Sequence, residues 1–181
     1  MRAVPLVVAI LACGACAGDA STGTTSTAKT YTGPYSAQVV ESTVSTSLSG
    51  GGTFPCTNTY TMSGTVTLTI DDATGAMVGS AQIVGTQVET AFSSGASCQA
   101  KADLSTAWSP KLTGTSVDLH FDDTNVSTNS GYVVTSKTTF SGALASGVVT
   151  GALGFSVSGS GTLGTTSIVQ SYTTTMNVTL R

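Results

Sequence analysis

The stretch VDLHFDD, residues 117 to 123, sets the only histidine of the chain between two aspartates. On a strand, side chains two residues apart share a face, so Asp118, His120 and Asp122 form one row. Two carboxylates and an imidazole in a row are donors suited to a divalent cation. The same row is what the solvated face of a half-buried strand looks like, with Val117, Leu119 and Phe121 turned inward. The outer-face reading is the expectation; the three donors stand as candidate metal ligands.

Other chemistries find less. GSGTLG, residues 159 to 164, fits G-x-G-x-x-G, but a dinucleotide loop must open a helix and be followed by an acid that holds the ribose. Here TTSIVQSYTTTMNVTLR follows, alternating and rich in β-branched residues, and no Asp or Glu occurs after Asp123. The glycines therefore read as a hairpin turn. Asp71–Asp72 and Asp122–Asp123 are adjacent pairs, which on a strand point to opposite faces, and neither fits a calcium loop. STAK, residues 26 to 29, matches S-x-x-K without the partner motifs that would make it catalytic, and no nucleophile elbow occurs. No catalytic residue and no cofactor is expected, and the chain reads as a non-enzyme.

Six aromatic residues remain: Tyr60, Trp108, Tyr132, Phe140, Phe155 and Tyr172, spread over different strands. Turned inward, they fill a core or line a site for an apolar or sugar-like ligand.

The elements that must carry these residues are strands. Cys56, Tyr60, Met62, Val66, Leu68 and Ile70 alternate with a row of threonines, a period of two. DDATG, residues 71 to 75, reads as the turn that ends this strand. Val40, Val44 and Leu48 give an inward parity for a strand before it. A third strand spans Met77 to Phe92, and a fourth runs from Cys98 through Leu104 and Thr106 to Trp108. Val117, Leu119 and Phe121 mark a fifth, with DDTNVSTNSG as a polar connection after it. Tyr132, Val134 and Phe140, then Val149, Leu153, Phe155 and Val157, and finally residues 168 to 180 give three more. The expected fold is all-β, an antiparallel meander of about eight strands. Charged edge residues are scarce, and closing the sheet removes its edges, so an up-and-down β-barrel is favoured over a β-sandwich.

The totals narrow the setting. Of 181 residues, 59 are Ser or Thr, and only 8% are charged, with a net charge of −3. No Lys/Arg cluster exists, which removes the electrostatic basis for nucleic-acid binding. The first residues, MRAVPLVVAILACGACAG, carry one Arg, a short apolar run and small residues with cysteines, the pattern of an export signal. AILAC, ending at Cys13, resembles the lipobox of bacterial lipoproteins, with Cys16 as a second candidate. The resemblance implies that one of these cysteines is lipidated, and the absence of Asp just after either implies the outer membrane. Residues 1–16 then form the signal segment, residues 17–30 a flexible Ser/Thr/Gly tether spanning roughly 20 Å, and residues 31–181 a single domain. Cys56 and Cys98 remain, and two cysteines in an exported domain are expected to pair.

The sequence thus reads as a membrane-tethered domain of the bacterial cell envelope, with a structural or interaction role. Its partners would be the membrane, through the lipid, and an envelope protein or a small ligand. The alternative is a barrel that binds a small apolar or carbohydrate ligand.

Overall fold

β-branched side chains stand clear of a pleated backbone, and an alternating chain buries one face of the sheet they form. The computed structural model describes residues 28–72, 76–95 and 98–181. Among the described residues there are nine antiparallel strands and no helix. They are β1 (Lys29–Ser47), β2 (Thr53–Asp71), β3 (Met77–Phe92), β4 (Leu104–Trp108), β5 (Lys111–Thr115), β6 (Asp118–Asn129), β7 (Tyr132–Ala145), β8 (Val148–Leu163) and β9 (Thr166–Leu180). The signal segment, both N-terminal cysteines and most of the tether lie outside the described residues, as does part of the β2–β3 turn.

The strands form one meander, and β9 returns to pair with β1, so the sheet closes in a ring. Ser42 to Ser47 pair with Thr166 to Ser171, and ten residues further along each strand Thr32 and Arg181 exchange backbone bonds of 2.9 and 3.1 Å. β4 and β5 are one stave broken at Pro110. Proline offers no N–H to a ladder, but its carbonyl still accepts from Ala81 at 2.8 Å. Both pieces pair with β3. Only β5 pairs with β6, over Thr113 to Thr115. Above that, the outer edge of β4 and the facing edge of β6 have no strand partner among the described residues.

The two ends of the ring differ. One end holds Lys29, Arg181 and the β7–β8 turn, and the wall around it encloses a dense core of Leu68, Ile83, Leu112, Leu119, Leu153 and Leu180, each 1% exposed or less. Phe121 and Phe140 stack there with centroids 5.5 Å apart. Gly142 and Gly151 lie opposite each other on β7 and β8, and the edge of the Phe140 ring occupies the space that a Cβ on either would need. That packing accounts for two of the four glycines in the run FSGALASGVVTGALGF. The hairpin turns Ser130–Gly131 and Ser146–Gly147 have positive φ at both positions, the geometry that suits the twist of a tight hairpin. GSGTLG lies in the β8–β9 hairpin, with Gly164 at the turn.

Several sequence expectations need correction. In β1 the inward parity is that of Tyr31, Tyr35 and Val39; Val40 is 58% exposed and Leu48 lies outside the strand. Val39 and Val40 are adjacent, so hydrophobicity alone gave no parity there. Lys29 and Thr30 pair with Ile70 and Thr69 and belong to the barrel, not to the tether. The fourth strand starts at Leu104 rather than Cys98, and β5 was not anticipated. Val117 sits in the β5–β6 turn, 82% exposed, while Leu119 and Phe121 are buried as expected. The polar connection after Phe121 is the second half of β6, paired to β7 throughout.

Candidate functional site

Followed away from the packed end, the inward-facing row of each stave changes character. On β1 it passes from Val39 to Glu41, on β2 from Met62 and Tyr60 to Asn58, and on β3 from Ile83 to Gln87 and Glu89. The side chains no longer fill the ring, and a cavity of about 270 Å³ remains. At about 30 Å³ each, that is room for about nine waters or one small organic molecule.

Tyr60, Trp108, Phe155 and Tyr172 supply the apolar lining, from β2, β4, β8 and β9. The Trp108 and Phe155 rings lie 5.1 Å apart at a tilt, and Phe155 in turn meets Tyr35 at 5.7 Å. Glu41, Gln87, Thr106, Ser136, Thr138 and Gln170 supply polar groups. Glu41, Gln87 and Thr138 are nearly fully buried, as is Asn58 beside them. Buried polar groups of this density demand partners, and several are met within the wall. The Lys101 ammonium donates to the Glu41 carboxylate, and the Thr43 hydroxyl donates to the same oxygen at 3.0 Å. Asn58 donates its amide to Glu89, whose other oxygen accepts from the Lys101 backbone N–H at 3.0 Å. The Glu89 N–H donates to Asp103 at 3.1 Å.

Lys101 hangs from the connection between β3 and β4. This segment crosses to β2, where Cys56 and Cys98 lie at disulfide distance, with Cα atoms 5.6 Å apart. The expected pairing of these two cysteines thus places Lys101 over the cavity.

Burial, and then the Glu41 carboxylate, push the hydroxyls of Tyr60 and Tyr172 up to about 12. Tyr132 is raised by the same two causes in the same order. Glu41 is thus a common cause at all three tyrosines, and Glu89 adds to it at Tyr60.

Four of the six aromatic candidates line this cavity. Phe140 belongs instead to the packed core. Tyr132 packs its hydroxyl over Gly159, outside the cavity lining. Asp118, His120 and Asp122 lie on the outer wall, all exposed. His120 Nδ1 is 3.5 Å from Asp118 Oδ1, while Asp122 pairs with Lys137 at 2.6 Å. Among the described residues no three His, Cys, Asp or Glu are gathered as a metal site. Glu41, Asn58, Gln87 and Lys101 were not picked out from the sequence. The available signal was the parity of β1, which puts Glu41 on the face of Tyr35 and Val39.

The fold and cavity together define a class: a closed antiparallel meander, packed at one end and hollow with an aromatic and polar lining at the other. A ring of about eight staves either fills with side chains or holds one small ligand, and this chain does each in one half. No family model, no curated protein and no solved structure matches the chain.

Proposed function

We propose that this protein is a non-catalytic, ligand-binding β-barrel held at the bacterial envelope by a lipid on Cys13 or Cys16. The observation that carries the reading is the cavity, with four aromatic side chains and a buried Glu41 around about 270 Å³. Small-molecule sites have this make-up, an apolar lining with a few placed polar groups, and this one falls just below their usual size range of about 300–1,000 Å³. The anchor fits the same arrangement. β1 begins at the packed end, so a tether joins the barrel at the end away from the cavity. The Cys56–Cys98 pair suits an exported domain.

A second reading, an interaction role for the outer wall, has one specific support. Val133 and Val169 flank Ser160 in register across β7, β8 and β9, and both are exposed. Native mass spectrometry of the full protein purified from the membranes of its own source separates the two. A small-molecule adduct at one per chain, lost on denaturation and absent from Trp108→Ala, supports the binding barrel. A complex with an envelope protein that carries no small-molecule adduct supports the interaction role.

A further inference from the structure

The two charges at the cavity are not equivalent. The Glu41 side chain is 7% exposed and fixed on β1, where Thr43 also holds it. Lys101 is 39% exposed and reaches in from a segment outside the strands, on a four-carbon stem. The anion is part of the wall, and the cation is the exchangeable member. Beside the lining, where Glu41 is the acid, stand two further acids, Glu89 and Asp103. Glu41 and Glu89 are the only glutamates of the chain, and Asp103 bonds to Glu89. Among the described residues the other cation at the lining is Lys137, which bonds to Asp122 on the outer wall. Aromatic faces around a buried carboxylate are the chemistry that recognises an organic cation, which gains both from ring quadrupoles and from the ion pair. A carboxylate ligand meets Glu41 instead, and a neutral ligand gains at most a hydrogen bond from it, without the ion pair.

We propose that the cavity takes a small ligand bearing an ammonium group, which displaces the Lys101 ammonium from Glu41 and lies against Tyr60, Trp108 and Tyr172. The proposal rests on the binding reading above and names its ligand class. Lys101 acts as a built-in competitor: it keeps the buried carboxylate paired and sets the threshold that a ligand must exceed.

Trp108 is the only tryptophan and lines the cavity, so its emission reports occupancy. The test is fluorescence titration of the full chain in detergent with butylammonium, butan-1-ol and butanoate, which share one apolar body and differ in headgroup. The expected result is butylammonium binding about tenfold tighter than either analogue. Glu41→Gln removes that preference, and Lys101→Met tightens butylammonium binding several-fold. Lys101→Met also serves if Glu41→Gln fails to fold, because a competitor's removal strengthens binding whereas loss of a merely structural contact weakens it. Equal or better binding of butan-1-ol or butanoate overturns the ligand class and leaves the binding barrel standing. A preference that survives Glu41→Gln overturns the role of Glu41. No response to any of the three probes overturns both the ligand class and the binding reading.

Discussion

The Lys101 ammonium meets the Glu41 carboxylate across sixty residues of chain, joining the β3–β4 connection to the inner face of β1 at the cavity. Removing one member of a buried pair leaves the other without compensation, which is far worse than removing both. Lys101→Met strands a carboxylate that retains only Thr43, so a loss of about 1–3 kcal/mol is expected. Glu41→Gln leaves a half-exposed ammonium that water can serve, and its effect is smaller. The double variant recovers most of the Lys101→Met loss. Urea unfolding of the four proteins checks this as a double-mutant cycle; additive losses would contradict the pairing.

The Cys56–Cys98 pair closes a loop with a sequence separation of 42. In the chain-entropy account such a closure is worth roughly 4 kcal/mol, acting on the unfolded chain. Reduction, or Cys98→Ser with Cys56→Ser, is therefore expected to lower unfolding stability by up to about that amount. The connection keeps other ties: Ser93 donates its backbone N–H to Thr57 at 2.7 Å, and the Thr57 N–H donates to the Ser93 hydroxyl at 2.8 Å. The reduced protein should therefore remain folded in water, with a lower urea midpoint.

The cavity tyrosines give a pH dependence whose sign is fixed. Burial, and then Glu41, hold Tyr60 and Tyr172 protonated up to about 12, against 10.0 for an ordinary tyrosine. Below pH 10 both the folded and the unfolded chain carry these protons, and the contribution is fully present. Between pH 10 and 12 the unfolded chain releases protons that the folded chain keeps, so stability falls as pH rises through that window. Near-ultraviolet tyrosinate absorbance should develop late in the folded protein. Glu41→Gln should shift part of that absorbance to lower pH, because it removes the second cause and leaves the first.

The fold was legible where one rule acted alone. In β2 every inward residue from Cys56 to Ile70 except Asn58 and Gly64 is apolar, and the facing row is mostly threonine, so period and parity agree. Parity failed in β1, where Val39 and Val40 are adjacent and the true inward row runs into Glu41. The second half of β6 was missed because Asn125, Ser127 and Asn129 lie on its inward row yet are exposed; among the described residues no stave pairs with that edge. The candidate site was half legible for the same reason. Aromatic residues are visible as cavity lining from composition. A glutamate or glutamine on an inward row breaks the apolar-in pattern, and only the closed ring shows that Glu41 and Gln87 reach one space.

The lipobox resemblance makes a separate prediction about the chain before Ala28. Metabolic labelling with a fatty acid should tag the protein in its own host. Cys13→Ser should remove the label if AILAC is the processed site, and Cys16→Ser should leave it. If Cys16→Ser alone removes it, the second cysteine is the anchor. Label retained in the double variant, or none in the natural protein, would replace the anchor with ordinary secretion.

Asp118 and His120 form the last case, where candidate donors can be separated from a working site. Both lie on the outer wall, and the His120 ring has two neighbours, Asp118 at 3.5 Å and Thr113 at 3.4 Å. Asp122, the third of the row, is engaged by Lys137. A tight divalent site needs three or four ligands converging on one point, whereas a straight row on an exposed strand offers a histidine and one carboxylate at most. His120→Ala is therefore expected to change unfolding stability by no more than about 0.5 kcal/mol, as for other surface positions. Zn²⁺ titrated against the natural protein should bind no tighter than millimolar. Micromolar binding that His120→Ala abolishes would return this row to the list of functional sites.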